Sequence, residues 1–119
     1  MGSAMDRKVE GPLAQKRCVP CEGGIKPLPR DQCVSLLKQI PNWTLNETAT
    51  ELSRTFTFSN FHETMEFVNA VAWISHHEDH HPDLEVHWGS CLVRYSTHAI
   101  KGLSDNDFIC AAKVDALFN

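Results

Sequence analysis

One dipeptide, His81-Pro82, divides the chain between two hydrophobic periods, and this constrains the fold more than any other feature. Before it, Phe61, Met65, Val68, Val71 or Ala72, and Ser75 recur at helical spacing. After it, Leu84, Val86 and Trp88 alternate with Glu85 and His87. Gly89-Ser90 reads as a turn, and residues 91–97 alternate again. A residue that precedes proline is biased out of the α region. The spacing therefore predicts a long helix that opens on the capping pair Asn60 and Glu63, ends near His80 and runs straight into a β-hairpin.

The flanks repeat the theme. Val34, Leu36, Leu37 and Ile40 predict a short helix over residues 30–40 that stops before Pro41. A strand starts at Asn42-Trp43, NETAT reads as a hairpin turn, and residues 51–58 alternate as its partner, with Leu52, Arg54, Phe56 and Phe58 on one face. Ser104 with Asp107 forms an S-x-x-D cap that opens a last helix over 105–117. The predicted order is α-β-β-α-β-β-α, an α+β domain with a four-stranded antiparallel sheet and three helices packed on one face.

At 119 residues the chain is long enough for one domain and one core. Residues 1–27 carry turn signals such as Gly11-Pro12 and Gly23-Gly24 and little apolar periodicity, so they read as a tail or extended arm, with the domain over 28–119. The opening GSAM has the look of a cloning scar and is set aside. No apolar run is long enough to span a membrane, and the first residues have no signal-peptide h-region. A net charge of −4, with no Lys/Arg run beyond two residues, argues against direct nucleic-acid binding. Five cysteines make an odd count, and Cys33, Cys91 and Cys110 sit in apolar periodic segments, which fits free thiols in a reducing cytoplasm.

The chemistry is concentrated in HHEDHHPDLEVHW, where His76, His77, His80, His81 and His87 fall within thirteen residues. A metal reading rests on the i, i+4 spacing of His76 and His80, but the stretch matches no zincin pattern and specifies no third ligand. A bland reading makes His76 and His77 a polar helix end, favoured by the helix dipole. A third reading is acid–base chemistry: neighbouring imidazoles divide into donor and acceptor near neutral pH, and His98, at the end of the second hairpin, can converge on His80 and His81.

The pattern H-x3-H-H-P-x5-W-x9-H-x8-D, from His76 through Trp88 and His98 to Asp107, resembles the signature of the pterin-4a-carbinolamine dehydratase family. The words HHPDL and YSTHAIKGLSDND, and the Trp43 of PNW, are similar to that family as well. The resemblance implies an enzyme, a hydro-lyase that eliminates water from 4a-hydroxytetrahydrobiopterin to give quinonoid dihydrobiopterin, recycling the pterin of aromatic amino acid hydroxylases. It implies no metal and no organic cofactor. Position by position, it implies catalytic roles for His80, His81 and His98, with His80 and His98 as the acid/base pair and His81 orienting the pterin. It further implies substrate-binding positions at Trp88, Asp107 and His76, although Asp107 is also the N3 residue of a capping box and Trp88 also suits a core wall.

His76 stands where the family often has an acid, which removes one means of favouring a charged neighbouring histidine unless Glu78 or Asp79 supplies it. Cys18-Val-Pro-Cys21 is a lone CxxC without a second half, best read as two thiols on an arm. The family implies a homo-oligomer, dimer or tetramer, in the cytoplasm. Two other classes remain in view: a dimerisation or coactivator module for a transcription factor, which needs an exposed apolar helix face, and a histidine-rich metal-binding protein, which needs a bound ion.

Overall fold

A computed structural model describes residues 12–20 and 25–118. The GSAM opening and Cys21 lie outside the described residues. Three helices, α1 (Arg30–Leu37), α2 (Phe61–Glu78) and α3 (Asp105–Asp115), accompany four strands, β1 (Thr44–Leu45), β2 (Leu52–Thr57), β3 (Asp83–His87) and β4 (Ser90–Tyr95). All pairings are antiparallel and the sheet order is β1-β2-β4-β3. The expected α+β class, element order and antiparallel sheet are all present.

The two hairpins meet along β2 and β4, with Leu52 opposite Tyr95 and Phe56 opposite Cys91. Strand periodicity then sends Cys91, Val93 and Tyr95 to one face, where all three are fully buried. Against them lie Phe67 and Val71 of α2 and Phe108, Ala111 and Val114 of α3. Trp43 joins this core through edge and tilted contacts with Phe56 and Tyr95, while its indole N–H donates to Asp115 at 2.9 Å. β3 is an edge strand, exposed along most of its length.

Several expected boundaries move. α1 ends at Leu37, and Lys38, Gln39 and Ile40 close it with tighter turns. The first strand shortens to Thr44–Leu45, and the 46–50 turn holds Ala49 in the left-handed region while the Asn46 side chain accepts from the N–H groups of Thr50 and Glu51. α3 stops at Asp115 and continues as a 3-10 turn, Ala116–Phe118.

The buried face of α2 is also rotated from the expected one. Thr64, Phe67, Val71 and Ile74 are buried, whereas Phe61 is 45% exposed. Thr64 occupies an inward position because its hydroxyl donates to the carbonyl of Asn60 and also contacts that of Trp88, leaving no unsatisfied polar atom.

Candidate active site

The histidine-bearing corner follows from how α2 stops. Asn60 caps its start, accepting from the Glu63 N–H at 2.9 Å. At the other end Asp79 takes left-handed angles, φ 53° and ψ 43°, and its N–H returns to the carbonyl of Ser75. Aspartate is among the few non-glycine residues that visit this region readily. The helix thus ends at Glu78, two residues before the expected position, and His80 leaves the helical path. His76 and His80 therefore do not share one helical face, and the i, i+4 basis of the metal reading is lost. Among the described residues no three His, Cys, Asp or Glu side chains are placed to hold a metal ion.

His80 turns inward. Its Nε2 lies 2.6 Å from Oδ1 of Asp107, its side chain is 13% exposed, and its ring stacks parallel to that of Tyr95 at 5.9 Å. Asp107 is fully buried at the first turn of α3. Its other oxygen, Oδ2, accepts from the Ser104 N–H at 2.9 Å and from the Thr97 hydroxyl at 2.7 Å. The carboxylate is therefore both the helix cap and the partner of His80. With an ionised carboxylate on Nε2, that nitrogen carries the proton in the neutral ring, and Nδ1 keeps its lone pair.

His98 is set by the loop after β4. It begins a 3-10 turn, His98–Ile100, whose Ile100 is buried and whose ends close through the Thr97–Gly102 bridge. Gly102 is required here by close approach: a Cβ would stand 2.7 Å from Cβ of Pro27. Lys101 completes the reversal with φ 56°. The outcome is that His80, His81 and His98 line one cleft of about 480 Å³, together with Thr97, Asn106 and Cys18. His81 and His98 are exposed at its mouth.

An adjoining groove of about 570 Å³, which shares His77 and Glu78 with the cleft, lies between α2 and the end of α3, lined also by Ala70, Trp73, Ile74 and Leu117. It is larger but mostly apolar, and its one histidine is committed to Trp73 by stacking at 3.8 Å and by a ring nitrogen on the Trp73 carbonyl. The cleft lined by His77, His80, His81 and His98, with the buried Asp107 carboxylate behind His80, is the better candidate for proton chemistry.

The remaining expected site residues fall outside that cleft. Asp107 sits behind His80 rather than on the cleft wall. Trp88, 67% exposed, stands at the β3–β4 turn, and its carbonyl contacts Thr64. His76 is exposed on α2 with its ring edge against His77. His87 faces solvent beside Glu85. Cys18, read from sequence only as a thiol on an arm, and Asn106, which no motif marked, also line the cleft, since residues more than 80 positions apart meet there. Cys18 Sγ lies 3.5 Å from Cys110 Sγ, and Cys18, Cys33, Cys91 and Cys110 are free thiols.

Comparison with known proteins follows the same line. Residues 26–117 match the family model described as Pterin 4 alpha carbinolamine dehydratase. A protein of Nitrosomonas eutropha provisionally named pterin-4-alpha-carbinolamine dehydratase is 58% identical over 106 residues, 88% of this chain and 92% of its own. One of the same name from Nitrosospira multiformis is 52% identical over 114 residues, 96% and 98% of the two chains. Among solved structures, a transcriptional coactivator/pterin dehydratase from Brucella melitensis superposes with a TM-score of 0.74 at 22% identity, covering 79% of this chain and all of its own. A pterin dehydratase-like RuBisCO assembly factor of the alpha-carboxysome gives 0.56, also at 22% identity, over 64% of this chain and 88% of its own. At that identity the two structures speak for the fold alone. The match over residues 26–117 and the high identity of the bacterial relatives carry the conclusion: the chain belongs to the pterin-4-alpha-carbinolamine dehydratase family.

Proposed function

We propose that the protein dehydrates a 4a-hydroxytetrahydropterin, 4a-hydroxytetrahydrobiopterin in the simplest case, to the quinonoid dihydropterin. The observation that carries this reading is His80, held by a buried carboxylate at the wall of a cleft it shares with His81 and His98. In the elimination the C4a–O bond breaks, the hydroxyl takes a proton and leaves as water, and the adjacent ring nitrogen loses its proton as the C=N bond forms. Two imidazoles in opposite protonation states supply both transfers, worth about 10²–10⁴-fold. Asp107 fixes the orientation and tautomer of His80, so Nδ1 is the nitrogen available for proton transfer, and His98 acts from the opposite loop. His81, exposed at the mouth, holds the pterin. The product would feed back to an aromatic amino acid hydroxylase, in a cytoplasmic homo-oligomer.

A second reading, a dimerisation or coactivator module, has one observation in its favour. Trp73 is 63% exposed on α2 beside the apolar groove. The test that separates them is the dehydration of freshly generated 4a-hydroxytetrahydrobiopterin, followed by absorbance with and without EDTA. Acceleration that survives EDTA supports histidine catalysis. No acceleration over buffer favours the binding module, and activity lost to EDTA restores a metal.

A further inference from the structure

Residues 12–20, read from sequence as part of an arm, form a strap fixed to the body along its length. Leu13 is 2% exposed within the core, and its N–H donates to Oε1 of Gln39. The Ala14 carbonyl accepts from Lys113 at 2.9 Å. Glu78, whose side chain is 7% exposed, pairs with Arg17 at 3.1 Å and accepts from the Cys18 N–H at 2.8 Å. The last fixing is reciprocal: Asn106 Oδ1 accepts from the Val19 N–H at 3.0 Å, and its Nδ2 donates to the Val19 carbonyl at 2.6 Å. A side-chain amide thus pairs with both the N–H and the C=O of one residue, as a residue on a neighbouring antiparallel strand would.

The strap ends on the candidate active site. Cys18, Val19 and Pro20 line the cleft that His98 also lines, and Val19 leaves an apolar side chain 64% exposed there. Asn106, which sets this wall, is adjacent in sequence to Asp107, which sets His80. One helical turn therefore positions both the proton-transfer group and the apolar surface beside it.

We propose that Val19 and Pro20, held by Asn106, are a specificity-determining wall of the cleft that covers an apolar face of the bound heteroaromatic ring. The inference rests on the pterin reading of the same site and names which residues select the ring. Val19 contributes binding common to ground and transition states, and Asn106 is a positioning residue acting through it. Loss of such contact raises KM and leaves kcat in place.

The test is steady-state dehydration of 4a-hydroxytetrahydrobiopterin by the full chain and by Val19→Ser, Val19→Ile, Asn106→Asp and Leu13→Ala, with melting temperatures alongside. Val19→Ser is expected to raise KM about five- to tenfold, the scale of one apolar contact in a pocket, with kcat within about twofold. Val19→Ile, which keeps an apolar contact, raises KM less than Val19→Ser. Asn106→Asp, which places a carboxylate against the Val19 carbonyl, and Leu13→Ala, which frees the strap far from the cleft, raise KM in the same way. Val19→Ser is at an exposed position, so it keeps the test open if Leu13→Ala does not fold. Wild-type turnover with KM unchanged in Val19→Ser overturns the wall alone. No turnover by the wild type overturns the dehydratase reading, and the wall with it.

Discussion

Asp107 gives one carboxylate oxygen to each of two tasks: Oδ1 meets Nε2 of His80 at 2.6 Å, while Oδ2 takes the Ser104 N–H and the Thr97 hydroxyl. The start of α3 and the orientation of the imidazole are thereby fixed by a single buried group. Asp107→Asn keeps an oxygen for the cap and removes the charge facing His80. The expected result is a fall in kcat of about tenfold to a hundredfold, with KM changed far less, since loss of tautomer control acts on proton transfer. An unchanged kcat, measured in the dehydration assay, would show that His80 works without this partner.

Glu78 links stability to pH. Burial alone would raise its carboxyl, but the Cys18 N–H, Lys113 and Arg17 outweigh it and hold the group below its ordinary value of 4.5. A carboxyl with a depressed native pKa stabilises the fold above the unfolded value, and that contribution disappears as pH falls through the native one. Melting temperature should therefore drop more steeply below about pH 4.5 in the wild type than in Glu78→Gln. Parallel acid limbs in thermal melts would remove Glu78 from the account.

The cysteines should be poor nucleophiles. The contact with Cys110, then burial, pushes the Cys18 thiol well above its usual range, and burial does the same for Cys33 and Cys91. Alkylation follows the thiolate fraction. Peptide-resolved labelling of the native protein with iodoacetamide at pH 8 should modify these three at least about tenfold more slowly than a free thiol. Labelling of Cys18 at the free-thiol rate would mean that its contact with Cys110 does not persist.

The face of α2 can be tested directly. Ile74, absent from the face read from sequence, is 6% exposed, so Ile74→Ala should cost about 2–5 kcal/mol in chemical denaturation. Phe61, which periodicity had assigned to the core, is 45% exposed, and Phe61→Ala should cost less than about 1 kcal/mol. The reverse order would restore the face read from sequence.

That helix also shows how much could be read in advance. The switch of period at His81-Pro82, the Asn60 cap and the alternation of 91–97 were enough for the class, the element order and the hairpins, because each is a local signal. The rotated face of α2 was not legible: Thr64 counts as polar until its hydroxyl is seen on two carbonyls, one of them 24 residues away. The end of α2 was displaced because Asp79 accepts left-handed angles, which a proline rule cannot anticipate. At the site, His80, His81 and His98 line one cleft. Trp88 and His76 are separate from them, and Asp107 took a place behind His80. The strap was invisible to periodicity since one isolated apolar residue, Leu13, and polar contacts with Gln39, Glu78, Asn106 and Lys113 hold it.

The measurement that bears most directly on the central claim is kcat for dehydration of 4a-hydroxytetrahydrobiopterin by wild type, His80→Ala, Asp107→Asn and the double variant, all in EDTA. If His80 and Asp107 act as one unit, His80→Ala lowers kcat by about 10²-fold or more, and adding Asp107→Asn costs almost nothing further. A His80→Ala enzyme with wild-type kcat, or a double variant whose loss is the full product of the two singles, would contradict it.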